Sequence, residues 1–240
     1  MKKESMSKNK TSKVYQNNTK KDIEFIIGDL NFNSKNQKQK NFCKLIEEKE
    51  IIICSGPAGV GKSMLSVAKS LELLKSPNNE FYKIIICTPT VECGGTSIGF
   101  LPGNLDEKLA PYLYSTMYLF EKLLGKEKVK KLLDHGYIDS LGLGFMRGIN
   151  IDNSIVIAEE FQNASHLEMK TLLTRIGYNS KFIISGDLEQ SDKFRKLSDT
   201  GLHNAFHRLE NKDINEIGFF RFENSDIVRN KLINKILDNY

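Results

Sequence analysis

The sequence lacks the features of several protein classes. It has only four cysteines in 240 residues, and none are spaced as metal ligands would be. No apolar run approaches the roughly 20 residues of a membrane-spanning helix, and the N-terminus has no apolar signal-peptide core. No internal repeat is present. We therefore expect reduced cysteines without a metal, no membrane partner and a cytoplasmic location; a catalytic thiol is possible but unsupported.

The net positive charge of the chain is concentrated at the N-terminus. The net charge of the whole chain is +5, but residues 1–21 contain seven lysines and one glutamate, so the rest is close to neutral. These residues are predicted to form a disordered basic tail that could contact RNA, DNA or an acidic partner, or could simply be solvated. Residues 22–240 are predicted to form a single domain, long enough to bury a sizeable core.

A glycine-rich stretch fits the phosphate-loop pattern G-x-x-x-x-G-K-[ST]. Before it lies a short apolar run, residues 51–54, and after it apolar residues recur with helical spacing. In this order of strand, loop and helix, the glycines let the backbone approach phosphates, while Lys62 reaches the β- and γ-phosphates and Ser63 coordinates Mg²⁺. We therefore predict a nucleoside triphosphate site made by Gly56, Pro57, Ala58, Gly59, Val60, Gly61, Lys62 and Ser63.

Three further polar side chains follow buried strands. Glu159 and Glu160 come after residues 154–158, and Gln190 comes shortly after residues 181–185. A P-loop enzyme needs a carboxylate near Mg²⁺ and usually a second one to orient or activate the attacking water. We predict these roles for Glu159 and Glu160 respectively, and we expect Gln190 to sense the γ-phosphate. Two solvated glutamates at a strand end remain the alternative.

The remaining chain predicts an α/β domain. Residues 22–27, 84–87 and 214–220 are interpreted as strands. Residues 106–124 and 127–133 are interpreted as helices, and the first carries tyrosines of which one could stack on a base.

Several motifs together resemble those of the PhoH-like P-loop ATPases, from about Gln37 to the C-terminus. The resemblance implies a three-layer RecA-like domain with a mostly parallel sheet, which binds ATP and Mg²⁺ and in which Gln37 reads adenine. It also implies an RNA-related role in phosphate-starvation or stress settings, and bacteriophages carry short versions. Besides residues 56–63, the motifs are Ile98-Gly99-Phe100-Leu101-Pro102-Gly103, Phe145-Met146-Arg147-Gly148, Glu160-Phe161-Gln162-Asn163, Leu173-Thr174-Arg175-Ile176-Gly177, Gly186-Asp187-Leu188-Glu189-Gln190-Ser191-Asp192, Gly201-Leu202 and Asp226-Ile227-Val228-Arg229.

Two positions depart from the family's pattern. Glu159 stands where the family usually has aspartate, and Thr88 stands where it usually has arginine. The longer carboxylate leaves open an ATP-bound scaffold or switch with little turnover. A helicase motor is a second alternative, which would need neighbouring subunits because the chain has no second set of motifs. A kinase has less support, since no feature of an acceptor site can be named.

The chain also needs an arginine to stabilise charge on the leaving phosphates, and P-loop systems often supply one in trans. The candidates are Arg147 and Arg229, with Arg175 third, although each could equally be a structural arginine paired with a carboxylate. The resemblance implies a ring-shaped homo-oligomer, a hexamer, with ATP sites at subunit interfaces. Arg229 or Arg147 is then expected to reach the γ-phosphate of the neighbouring subunit.

Overall fold

Six strands form one sheet in the computed structural model, which describes residues 19–89, 105–146 and 148–228, with only the backbone of residues 105–112. The order across the sheet is β3-β2-β4-β5-β1-β6, and all neighbours pair in parallel. The predicted α/β class with a parallel sheet is therefore confirmed. The strands are β1 (Ile51–Ser55), β2 (Lys83–Cys87), β3 (Ile138–Ser140), β4 (Ser154–Ala158), β5 (Lys181–Gly186) and β6 (Ile217–Arg221).

Helices cover both faces of the sheet, which gives the predicted three layers. One face, with Ile52, Ile84 and Ile155, packs against α1 to α5, and the other, with Ile53 and Val156, packs against α6 and α7. Successive strand residues point to opposite faces, so strands covered on both sides are apolar throughout. The helices are α1 (residues 19–27), α2 (Gln37–Glu48), α3 (Lys62–Lys75), α4 (Leu105–Leu124), α5 (Lys126–Asp134), α6 (His166–Leu173) and α7 (Gly201–Leu209).

The prediction of a strand at residues 22–27 is wrong, because these residues belong to α1. Ile23, Ile26 and Ile27 are buried, and this spacing places them on one face of a helix. A strand would have aligned Phe25 with Ile23 and Ile27, but the Phe25 side chain is 85% exposed.

The predicted boundary between tail and domain, after residue 21, falls inside α1 and is also wrong. Lys20 Nζ donates hydrogen bonds to the carbonyl oxygens of Leu74 at 2.9 Å and Ser76 at 3.3 Å, so this part of the helix packs on the domain. The rest of the predicted tail, residues 1–18, lies outside the described residues.

The cysteines in the described part of the chain are Cys43, Cys54 and Cys87, all free and buried. Burial raises the pKa of each thiol above its usual value, which disfavours the nucleophilic thiolate. Within the described ranges, no group of three or more His, Cys, Asp or Glu side chains could hold a metal ion. No described helix is long and apolar enough to cross a bilayer.

The parallel sheet brings the predicted motifs to one edge. All six strands run in the same direction, so their carboxyl ends lie together. The phosphate loop follows β1, Glu159 and Glu160 follow β4, and Gln190 follows β5. This edge is where α/β sheets bind ligands.

Candidate nucleotide-binding site

The phosphate loop connects β1 directly to α3, which begins at Lys62. Gly59 and Gly61 have φ angles of 95° and 101°, in the left-handed region that glycine adopts at little cost. A Cβ atom at Gly61 would also lie 2.9 Å from Gln39 Nε2. The first N–H groups of α3 have no carbonyl partner within the helix, so the loop and the helix start form a site suited to anions.

The Lys62 side chain folds over this loop. Its Nζ donates hydrogen bonds to the carbonyl oxygens of Gly56 and, at 3.0 Å, of Pro57. A phosphate oxygen is a stronger acceptor than these neutral carbonyls, because both partners would then be charged. The ammonium group is therefore well placed to bind a phosphate in the loop.

Glu159 lies beside the start of α3. Its side chain is only 5% exposed, and its Oε2 accepts a hydrogen bond from Ser63 Oγ. Glu159 Oε1 is buried without a hydrogen-bond partner among the described residues. Burial is the largest cause that raises the pKa of Glu159; the Ser63 hydrogen bond opposes it, and the charge of Glu160 adds to it.

This pair of oxygen ligands fits Mg²⁺. The ion is usually bound by one or two carboxylates together with phosphates and water. Glu159 Oε1 has an unused lone pair, and the Ser63 hydroxyl stands next to the other oxygen of the same carboxylate. The extra methylene of Glu159 therefore does not prevent the carboxylate from reaching the phosphate-loop serine.

Glu160 has a different environment from its neighbour. Its side chain is exposed, and its φ angle of 58° places a non-glycine residue in the left-handed region, which is uncommon and clusters at functional sites. Glu160 Oε2 accepts a hydrogen bond from Gln162 Nε2 at 2.6 Å. One glutamate of the pair is thus buried against α3, and the other is open to the cavity.

A cavity of about 810 Å³ joins these groups along the carboxyl edge of the sheet. Side chains from the start of α2 and from α4 line this cavity together with the phosphate loop. Beyond residues of the loop and of α3, its lining includes Phe32, Lys35, Gln39, Tyr114, Tyr118, Lys122, Glu159, Glu160, Gln162, Asp187, Gln190 and Val228.

The comparison with protein families decides what kind of site this is. The family model described as PhoH-like protein matches residues 31–240. The chain belongs to the PhoH-like family. Its phosphate loop is therefore that of a P-loop nucleotide-binding protein, as the resemblance implies.

Curated PhoH-like relatives support this assignment. The PhoH-like protein of Bacillus subtilis (strain 168) is 37% identical over 206 residues, covering 86% of this chain and 63% of the relative. Protein PhoH of Escherichia coli (strain K12) is 34% identical over 209 residues, covering 86% and 57%. The chain thus spans about three fifths of the length of these relatives.

Among solved structures, the crystal structure of the Hef helicase domain from Pyrococcus furiosus matches with a TM-score of 0.45 and 11% identity. The match covers 79% of this chain and 38% of that one. The fold assignment rests on the parallel sheet and on the family.

The PhoH-like chain does not bring Gln37 to the cavity, which corrects the prediction for this residue. Gln37 is exposed and donates a hydrogen bond from Nε2 to Asn41 Oδ1 at 3.0 Å. Gln39 is 3% exposed and lines the cavity. Its Nε2 donates to Val60 O at 2.8 Å, and its Oε1 accepts from Lys35 N at 2.7 Å.

Helical periodicity could have identified Gln39 in the sequence. Residues two apart on a helix lie on different faces, whereas residues three, four and seven apart share one. Gln39 is in this register with the buried residues Phe42, Cys43 and Ile46. The α2 helix begins with Asn36 as its N-cap, whose Oδ1 accepts from Gln39 N at 2.8 Å.

One of the three candidate arginines, Arg175, lies within the described residues. Arg147 and Arg229 lie outside the described residues. Arg175 follows α6 near the amino end of β4, where its carbonyl oxygen accepts from Ile151 N at 2.9 Å, so it lies at the opposite edge of the sheet from Glu159.

The segment after β6 also reaches the cavity, which the sequence motifs did not predict. Val228 N donates to Gly59 O at 3.3 Å, and Val228 lines the cavity. Phe222 N donates to Ser55 O at 2.8 Å, so the chain leaves β6 alongside the end of β1.

Proposed function

We propose that this PhoH-like chain binds ATP with Mg²⁺ and hydrolyses it to ADP and phosphate. The observation that carries the proposal is the contact between Ser63 and Glu159, which joins the phosphate loop to the acidic strand. In the same cavity, Lys62 is available for phosphate and Glu160 is open to water. The test is steady-state phosphate release by the purified chain at saturating ATP and Mg²⁺.

Each residue has one role in this reaction. Lys62 holds the β- and γ-phosphates, and Gln190 contacts the γ-phosphate. Ser63 and Glu159 hold Mg²⁺, which neutralises phosphate charge when bound. Glu160 accepts a proton from the water that attacks the γ-phosphorus, as the bond from that phosphorus to the bridging oxygen breaks.

The alternative is a scaffold or switch that holds ATP with little turnover. Its support in the sequence is the longer side chain of Glu159, which could misplace the metal. The reach of Glu159 to Ser63 favours the enzyme instead. Phosphate release distinguishes the two, because the scaffold would bind ATP at the same concentrations but release no phosphate.

We expect Gln39→Ala to raise the KM for ATP about 5- to 13-fold and to reduce the preference for ATP over GTP. Gln39 can offer an amide to the base edge of adenine, and one lost hydrogen bond of this kind costs about 1–1.5 kcal/mol. Initial rates with ATP and GTP measure both effects. Gln37→Ala, two residues earlier on the exposed face, is the matched control, and an equal KM effect in both variants would contradict the assignment.

Single-stranded RNA is the proposed partner, and α4 offers a surface for it. Tyr114 and Tyr118 are 73% and 54% exposed, stand one helical turn apart and line the cavity together with Lys122. α4 contacts β2, whereas Leu45 of α2 lies against Gly218 of β6, so the two helices lie over opposite halves of the sheet. Exposed rings followed by a cation suit stacked bases and a phosphate backbone.

We expect Tyr114→Ala combined with Tyr118→Ala to weaken RNA binding at least about 10-fold, since stacking contributes about 1–3 kcal/mol per base. RNA stimulation of phosphate release should fall in parallel, while the rate without RNA stays unchanged. Tyr178→Ala is the control, because Tyr178 is 75% exposed but lies near the opposite edge of the sheet. RNA affinity that is the same in all variants would place the RNA site elsewhere.

The assembly and the cellular role stay predictions. A homohexameric ring with Arg147 or Arg229 reaching the neighbouring site is proposed from the family resemblance. A role in phosphate starvation and a phage source are proposed from the same resemblance, and a cytoplasmic location is proposed from the sequence.

A further inference from the structure

The turn after the acidic pair carries two buried amide side chains with no role in the hydrolysis described above. Gln162 and Asn163 are 6% and 2% exposed, and they belong to the short turn Phe161–Asn163 that follows Glu160. Burying an amide is costly unless its polar atoms are hydrogen-bonded. The partners of these two side chains therefore indicate what they hold in place.

Gln162 connects the Glu160 carboxylate to the end of β5. Its Nε2 donates to Glu160 Oε2 at 2.6 Å, and its Oε1 accepts from the backbone N of Asp187 at 3.1 Å. A Cβ atom at Gly186 would lie 2.5 Å from Gln162 Oε1, so no side chain fits between the turn and β5. The turn and the end of β5 are therefore in direct contact through the Gln162 side chain.

Asn163 holds the other end of the same loop. Its Oδ1 accepts from Asp192 N at 2.9 Å and from Ser191 Oγ at 3.3 Å, and its Nδ2 donates to Asp192 Oδ2 at 3.3 Å. We call residues 187–192 the Gln190 loop. Its first and last residues are fixed by Gln162 and Asn163, and Gln190 lies between them, exposed and lining the cavity.

We propose that Gln162 and Asn163 couple the Gln190 loop to the orientation of the Glu160 carboxylate. A γ-phosphate that contacts Gln190 shifts the loop, and Gln162 carries the shift to Glu160, so the carboxylate is aligned only when a triphosphate is bound. Both amides are positioning residues, because they act through Glu160 and Gln190. The inference rests on the proposed ATP hydrolysis.

The geometry at Glu160 makes this coupling effective. The residue is held in the left-handed backbone region, and its carboxylate accepts the hydrogen bond from Gln162. A catalytic group that is misplaced by about 1 Å can lose on the order of 100-fold in rate. Small movements of the Gln190 loop are therefore sufficient to change turnover.

Two substitutions of Gln162 test the hydrogen bonds. Gln162→Met keeps the length of the side chain but loses both bonds. Gln162→Glu keeps an oxygen for Asp187 N but places a second carboxyl group beside Glu160 in place of the amide donor. We expect kcat to fall about 10- to 100-fold in each, while the KM for ATP and the affinity for ADP change less than about 2-fold. Glu189→Gln, exposed in the same loop and outside the cavity lining, is the control and should keep the wild-type kcat.

A double-mutant cycle with Gln190→Ala then separates coupling from two independent effects. If the two residues are coupled, the fold-loss of kcat in the double variant should be smaller, by a factor of at least about 5, than the product of the fold-losses in the two single variants. Gln162→Glu replaces Gln162→Met in the cycle if the methionine variant does not fold.

The coupling would be overturned if the losses of kcat in the double-mutant cycle were multiplicative. It would also be overturned if the single Gln162 variants kept the wild-type kcat, or if they lost as much affinity for ADP as they lost in kcat. The wild-type chain separates this failure from that of the proposed function. If it releases no phosphate at saturating ATP and Mg²⁺, hydrolysis itself is overturned, and the coupling with it.

Discussion

Replacing Lys62 by alanine is expected to remove most ATP binding and turnover while leaving the fold intact. Lys62 Nζ lies over the loop, bonded to the carbonyl oxygens of Gly56 and Pro57, and its charge is the one that the phosphate-loop motif directs at phosphates. Each hydrogen bond to a charged group contributes about 1.5–3 kcal/mol. The loss of one bond from Lys62 to the β-phosphate and one to the γ-phosphate therefore predicts at least about a 100-fold loss in kcat/KM.

Phosphate release and titration with a fluorescent ATP analogue measure this loss, and thermal unfolding checks the fold. The matched control is Lys44→Ala on α2, which removes an exposed lysine whose ion pair with Glu48 spans 3.5 Å. Exposed pairs of this kind contribute little, so this variant should behave as the wild type in every assay. Unchanged ATP affinity and turnover in Lys62→Ala would reject the assignment of the site.

Glu160→Gln is expected to lose turnover but to keep ATP binding. Glutamine has the same size and keeps an oxygen that can accept the hydrogen bond from Gln162, but it cannot take a proton from water. Positioned acid–base catalysis is worth about 10²–10⁴-fold, and kcat should fall by a factor in that range. The affinity for ATP should stay within about 3-fold, so that ATP accumulates on the protein.

Glu159→Gln provides the comparison that assigns the two roles. It removes a charge from the Ser63 contact, so we expect it to raise the Mg²⁺ concentration that half-maximal turnover requires. Turnover as a function of Mg²⁺ in both variants gives the answer. If Glu159→Gln abolishes turnover at all Mg²⁺ concentrations and Glu160→Gln does not, the roles of the two glutamates are reversed.

Local patterns in the sequence predicted much of the fold and of the site. The apolar runs of β1, β2, β4 and β5 were recognisable because strands covered on both faces need an apolar side chain at every position. The capping box of Ser165 and Glu168 at the start of α6 is also local, because its hydrogen bonds join residues three apart. The short strand β3 gave no comparable signal, because it has three residues at the sheet edge.

The sequence is ambiguous where a strand-like and a helical pattern, or two similar side chains, occur within a few residues of each other. Residues 22–27 alternate weakly, but the helical spacing of Ile23, Ile26 and Ile27 prevailed because α1 packs against the sheet with that face. Gln37 and Gln39 both stand at the start of α2, and only Gln39 shares the helical register of the buried residues that follow it and lines the cavity.

The sequence by itself determined the chemical groups of this protein and their local settings: a lysine and a serine after a glycine-rich turn, and two carboxylates after a buried strand. Only the tertiary structure decided which groups meet. Glu159 reaches Ser63, Val228 reaches Gly59, and Gln162 joins Glu160 to the Gln190 loop. These contacts depend on the sheet order, in which β5 lies between β1 and β4. Local spacing does not encode that order, because strand pairing is set by packing between residues that are distant in the chain.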